Sequence, residues 1–368
     1  MNLALVYDRA NKIGGAERVL SVLHELYPQA PLYTAVHHPS KATWTTGWDV
    51  RTSFLNRLPL ARSIHEIYPW LTPVAFESFD FTGFDVVLSV TSADAKGIIT
   101  KPTTLHICYC LTPTRYLWSD RELYQQELPS LIQPLAEPVL NYLSAWDRIA
   151  SQRPDFILAI SKAVQQRIKT YYHRDSEVIY PPVNVQAFDK PQEANLPVSN
   201  YFLVVSRMVP HKRIDLAIEA CNLLRLPLVI AGTGWQMEKL KRKAGPTISF
   251  VGQLTDEKLV LYYQKCRALI FPQEEDFGIA IVEAQAAGKP VIAYNQGGAA
   301  EIIQRETGIF FSQQSATSLI TALRRFRDEA FNPDDCKRNA KRFSKQEFIK
   351  KFNAKIEQLW IKHREFLK

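Results

Sequence analysis

Short apolar runs alternate with amphipathic stretches along most of this chain. A run of a few apolar residues between turn residues predicts a strand, and apolar residues that recur every three or four positions predict a helix. The predicted strands are Leu3–Tyr7, Asp85–Val90, Thr104–Cys110, Asp155–Ile160, Tyr201–Ser206, Pro227–Ala231, Ile248–Val251, Ala268–Phe271, Pro290–Tyr294 and Gly308–Phe311. The helices between them include Ala16–Leu26, Ser161–Tyr172, Ile214–Leu224, Asp256–Cys266 and Ile279–Ala287. Such alternation predicts parallel sheets built from β-α-β units.

The pattern is interrupted around residues 181–200. Tyr180-Pro181-Pro182-Val183-Asn184 is stiff and non-helical, and the stretch that follows is polar. A chain of 368 residues also exceeds what one hydrophobic core usually serves. We therefore predict an α/β protein with a domain over residues 1–180, a linker over 181–200 and a second domain over 201–344. Two doubly wound domains would place a ligand cleft between them, at the carboxyl ends of the strands.

The last segment combines positive charge with an apolar stripe. Residues 337–368 hold eleven Lys and Arg against three Glu, which accounts for the net charge of +8. The stripe at helical spacing consists of Phe348, Phe352, Ile356, Leu359 and Leu367. We expect a surface helix over residues 345–368 that packs through this stripe, with binding of anionic phospholipid headgroups as the alternative. Nucleic acid is not expected as a partner, because no recognition motif accompanies the charge.

Composition excludes several other classes of protein. The cysteines are Cys108, Cys110, Cys221, Cys266 and Cys336, and no C-x-x-C pair is present. Reduced core thiols in a cytoplasmic protein are therefore expected, rather than a zinc or redox site. No apolar run reaches the roughly 18–20 residues needed to span a bilayer, and the N-terminus lacks a basic secretory leader. A dehydrogenase is disfavoured, because Gly14-Gly15 and Gly232-Thr233-Gly234 both lack the third glycine of the dinucleotide fingerprint.

The clearest chemistry lies around the predicted helix Ile279–Ala287. The free N–H groups and positive dipole end near Gly278 suit a phosphate. Glu275 precedes this terminus, and Glu283 lies roughly 7–8 Å farther along the axis, which is close to the span of a diphosphate. One carboxylate could meet a group on each side of the phosphates.

Two cations follow the first strand of the second domain. Arg207 and Lys212 can neutralise a departing diphosphate there, although such residues are often plain surface charges. No D-x-D pair is present to hold a divalent ion, so no metal is expected. Near the N-terminus, Gly14-Gly15 opens a helix and permits close approach of a ligand, although a helix N-cap explains the pair equally well.

These motifs together resemble family-four retaining glycosyltransferases of the GT-B fold. The resemblance rests on Gly14-Gly15-Ala16-Glu17-Arg18-Val19, Ser206-Arg207…Lys212, and Glu275-x7-Glu283 followed by Gly288-Lys289-Pro290-Val291. Ser92…Lys96-Gly97, Tyr109-Cys110…Thr112-Pro113…Arg115-Tyr116, Ser161 and Pro181-Pro182-Val183 add to it. It covers nearly the whole chain, and it is closest to bacterial mannosyltransferases that build O-antigen or exopolysaccharide.

The resemblance implies that the second domain binds a nucleotide-sugar donor. Arg207 and Lys212 would contact the diphosphate and Glu283 the ribose, while Glu275 would contact the sugar hydroxyls. Three backbone positions complete the implied donor site. They are Phe277 and Gly278 beside Glu275, and Gly252 near the base. Glu275, Arg207 and Lys212 are the implied catalytic residues.

The first domain would bind the acceptor, contribute Gly15 to the phosphates, and receive the C-terminal helix. Relatives often have a histidine before Thr-Pro, but this chain has Leu111 there. His106 lies on the opposite face of that strand and is favoured as a core or edge histidine. The remaining acceptor-side candidates are Asp8, Asp94, Lys96 and Arg115.

The segment from Trp44 to Trp70 interleaves aromatic, aliphatic and basic residues. A lid or packed subdomain is one interpretation, and a membrane-facing surface that meets a lipid-linked acceptor is the other.

The sequence therefore predicts a retaining, metal-independent glycosyltransferase. It would use no cofactor and would move mannose from GDP-mannose to a lipid-linked glycan at the inner face of the cytoplasmic membrane. A UDP-sugar-dependent transferase, a nucleotide-sugar epimerase and a non-catalytic nucleotide-binding subunit are the alternatives.

Overall fold

A computed structural model of the protein describes residues 1–127, 133–190, 196 and 199–367. The chain divides into two compact units. Unit 1 comprises Met1–Pro181 and the segment from Ile349 onward, and unit 2 comprises Pro182–Phe348.

Unit 1 is built on a seven-stranded parallel sheet in the order β3-β2-β1-β4-β5-β6-β7. Its strands are β1 (Leu3–Tyr7), β2 (Leu32–Thr34), β3 (Val50–Thr52), β4 (Val86–Thr91), β5 (Leu105–Cys110), β6 (Phe156–Ala159) and β7 (Glu177–Val178). Its helices are α1 (Gly15–Leu26), α2 (Thr72–Glu77), α3 (Arg121–Glu127), α4 (Gln133–Ala150) and α5 (Lys162–Tyr172). The strands β1, β4 and β5 are buried at every position, as expected for parallel strands covered on both faces.

Unit 2 is built on a six-stranded parallel sheet in the order β10-β9-β8-β11-β12-β13. Its strands are β8 (Phe202–Val205), β9 (Leu228–Ala231), β10 (Ile248–Gly252), β11 (Leu269–Phe271), β12 (Val291–Tyr294) and β13 (Gly308–Phe311). Its helices are α6 (Ile214–Leu224), α7 (Met237–Lys243), α8 (Asp256–Lys265), α9 (Ile279–Ala286), α10 (Ala299–Ile302), α11 (Ala316–Arg325) and α12 (Pro333–Lys341). A last helix, α13 (Lys345–Phe366), begins in unit 2 and continues in unit 1.

The strand order reverses once in each sheet, beside the first strand of the unit. In unit 1 the reversal lies between β1 and β4, and in unit 2 it lies between β8 and β11. The carboxyl ends of the strands at such a switch point are where open parallel sheets bind ligands. A ligand site is therefore expected at the switch point of each sheet.

The predicted elements are confirmed, with ends that agree to within two residues. Ser161, for example, is the N-cap of α5 and accepts a hydrogen bond from the Val164 amide at 3.0 Å. The strands β2, β3 and β7 are missing from the prediction. They have only two or three residues each, too few for an alternating pattern to be recognised.

The predicted linker differs from the structure in its first part. Residues 182–190 belong to unit 2, where a 3₁₀ helix (Val185–Phe188) buries the ring of Phe188 edge-on against Tyr263 at 5.8 Å. One apolar anchor within a polar stretch explains why composition alone suggested a linker. Residues 191–195, 197 and 198 of that segment lie outside the described residues.

The apolar stripe of the C-terminal helix is buried at four of its five positions. Phe348, Phe352, Ile356 and Leu359 are buried, whereas Leu367 is 44% exposed. The Phe352 ring packs edge-on against Tyr109 of β5 at 5.9 Å. The stripe thus ends before the last turn of the chain.

Two further expectations can be compared with the described residues. All five cysteines are buried and free, which confirms the prediction of core thiols. Within the described ranges, no helix is both long and apolar enough to cross a membrane.

Candidate functional site

An ion pair spans the switch point of unit 2. After β8 the chain reaches a 3₁₀ helix that ends at Lys212, and after β11 it runs through Glu275 toward α9. Lys212 Nζ donates to Glu275 Oε1, with the lysine side chain 7% exposed and the glutamate side chain 23% exposed. From the sequence, Lys212 was expected to contact the diphosphate and Glu275 the sugar hydroxyls. In the structure the two side chains contact each other.

The N-terminus of α9 lies directly after this pair. Gly278 is the N-cap in the left-handed region (φ 106°), and no side chain caps the first turn. A residue with a β-carbon is strained at this φ, so glycine suits the position. The first N–H groups and the positive end of the helix dipole are therefore suited to an anion.

Two glycines after β12 allow another loop to lie against the Glu275 loop. A β-carbon on Gly298 would lie 1.9 Å from the Phe277 carbonyl oxygen, and one on Gly297 would lie 2.2 Å from that of Glu275. The Gly298 amide donates to the Glu275 carbonyl at 2.8 Å. This close approach holds the backbone that carries Glu275, and no pattern in the sequence predicted it.

A second glycine loop supports the Arg207 segment. A β-carbon on Gly232 would lie 2.0 Å from the Ser206 carbonyl oxygen, and the Gly232 amide donates to the Gly252 carbonyl at 2.7 Å. Arg207 itself is exposed. Gly252 has a left-handed backbone (φ 69°), with no atom within 4 Å of a β-carbon position. The loops after β8, β9 and β10 thus form one connected rim.

Glu283 is held inside α9. It is buried, and its Oε2 accepts a hydrogen bond from the hydroxyl of Tyr263 at 2.9 Å. Tyr263 was not predicted as part of the site, and its place on α8 offers no local signal for that contact. The hydrogen bond fixes the orientation of the Glu283 carboxylate.

At the switch point of unit 1, Asp8 organises the turn after β4. Its two carboxylate oxygens accept four hydrogen bonds, from Thr91 Oγ1 and the Ala95 amide and from the amide and hydroxyl of Ser92, at 2.7–3.3 Å. This arrangement gives Asp8 a structural role in shaping residues 91–95.

Lys96 and Asp147 form a buried ion pair beneath that turn. Lys96 is 2% exposed, and its Nζ donates to Asp147 Oδ1 at 2.5 Å. Thr114 Oγ1 and Trp118 Nε1 also donate to Asp147, each at 2.8 Å. Burial opposes the charge of Lys96, but the Asp147 carboxylate outweighs it and raises the pKa of Lys96 well above its usual range. Lys96 therefore forms a buried ion pair within unit 1.

Three residues on or directly after β5 have distinct environments. Arg115 Nε donates to Asp120 Oδ2 at 2.8 Å. Leu111 is half-buried, and its amide donates to the Thr91 carbonyl at 2.7 Å. His106 is fully buried with its Nε2 2.9 Å from Ser89 Oγ, and burial lowers the pKa of His106 to about 3. The core-histidine interpretation is confirmed.

The Gly14-Gly15 loop is held by aromatic side chains. Helix α1 begins at Gly15, and Gly14 has an extended backbone (φ −167°) that any residue can adopt. Tyr7 donates to Glu17 Oε1 at 2.6 Å, and Trp44 Nε1 donates to the Lys12 carbonyl at 3.0 Å. The loop is therefore fixed from both sides, without a backbone conformation that requires glycine at Gly14.

The part of unit 1 formed by residues 12–13 and 57–74 exposes both apolar side chains and cations. Its apolar members are Ile13, Leu60, Ile64, Ile67, Trp70 and Val74, and its exposed cations are Lys12, Arg57 and Arg62. Leu60 is 68% exposed with a left-handed backbone (φ 59°). Asn11 Nδ2 donates to the Arg62 carbonyl at 3.3 Å, which ties the two loops together. We call this the apolar–basic surface.

Among the described residues, no cluster of three or more His, Cys, Asp or Glu side chains is arranged to hold a metal ion.

Residues 185–343 match the family model of glycosyl transferases group 1. O-antigen chain mannosyltransferase C of Escherichia coli is 25% identical over 246 residues, which are 62% of this chain and 62% of that protein. D-rhamnosyltransferase WbpZ of Pseudomonas aeruginosa is 28% identical over 236 residues, or 61% of this chain and 60% of that protein. The chain thus matches about three fifths of the length of these relatives.

Among solved structures, Alr3699/HepE of Anabaena in complex with UDP is similar with a TM-score of 0.69 at 16% identity, over 97% of this chain and 100% of that one. At this identity the likeness concerns the fold. Together with the two parallel sheets of seven and six strands, this likeness confirms the predicted class of two Rossmann-like, GT-B-type units.

Proposed function

We propose, from the premise that residues 185–343 match the family model of glycosyl transferases group 1, that the protein transfers a hexosyl group from a nucleotide sugar to a glycan hydroxyl. The donor is GDP-mannose, and the acceptor is a lipid-linked oligosaccharide of surface polysaccharide synthesis. Unit 2 binds the donor and unit 1 binds the acceptor.

The Lys212–Glu275 ion pair beside the N-terminus of α9 is the observation that carries this proposal. A hexosyl diphosphate has an anionic and a hydroxyl-rich part next to each other. An ion pair offers a cation to the first and a carboxylate to the second, and the helix N-terminus adds N–H donors. Arg207 supplies a second cation from the same loop.

The chemistry is a substitution at the anomeric carbon with retention of configuration. The bond from that carbon to the diphosphate oxygen breaks, and the acceptor oxygen forms its bond on the same face. The acceptor proton passes to the departing diphosphate oxygen. Lys212, Arg207 and the dipole of α9 stabilise the charge that develops, so no metal ion is required.

Mannose is proposed because the Escherichia coli relative is a mannosyltransferase. The Pseudomonas aeruginosa relative, a D-rhamnosyltransferase, does not support this choice of sugar. A thermal-shift panel of GDP-, UDP- and ADP-sugars tests the donor, since a bound ligand raises the unfolding temperature. We expect the largest rise with GDP-mannose, and mass spectrometry of the glycan product should show one added hexose. A preference for a UDP-sugar would overturn the donor assignment, and conversion of the donor without an acceptor would indicate an epimerase.

The apolar–basic surface supports a lipid-linked acceptor, because aliphatic side chains with cations suit an anionic bilayer. We expect sedimentation with phosphatidylglycerol vesicles, lost at high salt and in the triple variant Leu60→Ser, Ile64→Ser, Trp70→Ser. Leu223→Ser is the matched control, because Leu223 is as exposed as Leu60 but lies in unit 2. Equal sedimentation of both variants would contradict membrane contact through this surface.

A non-catalytic nucleotide-binding subunit is the second candidate, and Leu111 is the observation that favours it. A half-buried leucine cannot hydrogen-bond the reacting sugar. This candidate predicts nucleotide binding without turnover, and gain of turnover in Leu111→His. The main proposal predicts turnover in the protein as it stands.

A further inference from the structure

The loop between β9 and α7 carries a tryptophan that the fold leaves open to solvent. Trp235 is 70% exposed, and within the described part of the chain its indole has no hydrogen bond or ring contact. Asp94, in the turn after β4 of unit 1, is by comparison only 7% exposed. Tryptophan combines a large apolar face with a polar N–H group and is enriched where proteins meet other molecules. The indole of Trp235 is therefore accessible to a ligand.

The loop holds Trp235 close to the cation that follows β8. A β-carbon on Gly234 would lie 2.3 Å from the Met208 carbonyl oxygen, so the two loops approach as closely as glycine allows. The Gln236 amide donates to the same carbonyl at 3.1 Å. The residues on both sides of Trp235 thus contact Met208, which directly follows Arg207. An aromatic face and a cation are carried by adjoining loops on the rim of unit 2.

The strand order gives the donor a direction along this rim. The carboxyl ends of the strands follow one another in the order β10, β9, β8, β11. Glu275, proposed for the sugar, follows β11, and Arg207, proposed for the diphosphate, follows β8. Glu283, proposed for the ribose, is hydrogen-bonded to a tyrosine of α8, the helix that follows β10. The nucleoside end of the donor therefore extends toward β9 and β10, where Trp235 and Gly252 lie.

We infer that the indole of Trp235 stacks on the nucleobase of the donor. This inference rests on the proposed function and assigns a residue to the nucleoside end of its donor site. A nucleoside diphosphate joins an anion to an aromatic ring, and the adjoining loops offer a cation to the first and an indole to the second. Every base has a π-face, so Trp235 increases affinity without selecting between guanine and uracil.

The experiment measures the binding of two ligands to wild type, Trp235→Ala and Trp235→Phe by isothermal titration calorimetry. GDP carries a base, and inorganic pyrophosphate does not. We expect Trp235→Ala to raise the Kd for GDP roughly five- to 150-fold, the range for loss of one base–aromatic stack, and to leave the Kd for pyrophosphate unchanged. Trp235→Phe keeps an aromatic face and should restore most of the affinity for GDP.

Leu223→Ala is the matched control, because Leu223 is an apolar residue of unit 2 that is 67% exposed. This variant should bind GDP as the wild type does. Trp235→Ala should also unfold at the wild-type temperature, since the ring is mostly in water and surface substitutions have small effects on stability. A loss of GDP affinity can then be assigned to the indole rather than to a damaged fold.

Equal Kd values for GDP in wild type and Trp235→Ala would overturn the inference and leave the proposed function intact. An equal loss of affinity for GDP and pyrophosphate would also overturn it, because Trp235 would then act through the shape of the loop. A rise confined to the acceptor KM would assign the ring to a glycan instead of the base. Failure of the wild-type protein to bind GDP, UDP or ADP would contradict the proposed function itself, and the inference with it.

Discussion

The polar residues after the first and fourth strands meet at the switch point in both units, but they do so in opposite ways. In unit 1 the turn is closed: Asp8 is saturated by the turn after β4, and Lys96 is buried against Asp147. In unit 2 the rim carries exposed Arg207, the partly exposed Glu275 and an uncapped helix N-terminus. The same strand order thus supports a sealed carboxylate turn in one unit and an open cationic rim in the other.

This contrast shows that topology locates a site while the side chains determine its chemistry. Cations and free N–H groups favour a diphosphate, whereas the buried carboxylates of unit 1 are occupied by contacts within the fold. We therefore expect charge removal in unit 1 to reduce mainly stability, and charge removal in unit 2 to reduce mainly activity.

Lys96→Ala is expected to have the largest effect. Truncation leaves the buried Asp147 carboxylate without its counter-ion, which should lower the free energy of unfolding by about 3–5 kcal/mol. Urea denaturation followed by fluorescence measures this change. Lys169→Ala is the matched control, because its ion pair with Asp175 is exposed and should leave stability unchanged. A stable Lys96→Ala variant would remove the structural role assigned to the turn in unit 1.

Lys212→Ala tests whether the cation at the rim of unit 2 is required for activity. Loss of a cation aimed at the developing charge should lower kcat roughly 10²–10³-fold, measured as release of nucleoside diphosphate. Lys239→Ala removes an exposed cation elsewhere in unit 2 and should keep wild-type turnover. If the two variants behave alike, net charge rather than position determines activity.

Glu283→Ala should act mainly on donor affinity. Loss of a hydrogen bond from the ribose to a charged carboxylate should raise the donor KM roughly ten- to a hundredfold. Tyr263→Phe keeps the carboxylate but removes its 2.9 Å hydrogen bond, so a smaller increase is expected. An unchanged donor KM in Glu283→Ala would leave this residue with a structural role only.

The smallest effect concerns the glycines of the unit 2 rim. Gly232 and Gly252 both have positive φ, so alanine at either position should cost about 1 kcal/mol through backbone strain. Gly232→Ala should cost more, because its β-carbon would lie 2.0 Å from the Ser206 carbonyl oxygen. Thermal unfolding of the two variants measures the difference. Equal losses would show that the loops do not require this close approach.

The sequence was sufficient to predict ten of the described strands, the helices α1, α5, α6, α8, α9 and α13 and the loops that follow β8 and β11, because these depend on local periodicity. It did not predict the Lys212–Glu275 or Lys96–Asp147 pairs, whose partners lie 63 and 51 residues apart. Pairing at that separation depends on how the strands are ordered in the sheet. The short strands β2, β3 and β7 were missed because they contain too few residues to show a pattern.

The most direct measurement is a crystal structure of the protein with GDP. The account predicts that the diphosphate lies within hydrogen-bond distance of Lys212, Arg207 and the first amides of α9. A diphosphate bound away from the carboxyl ends of β8 and β11 would contradict it.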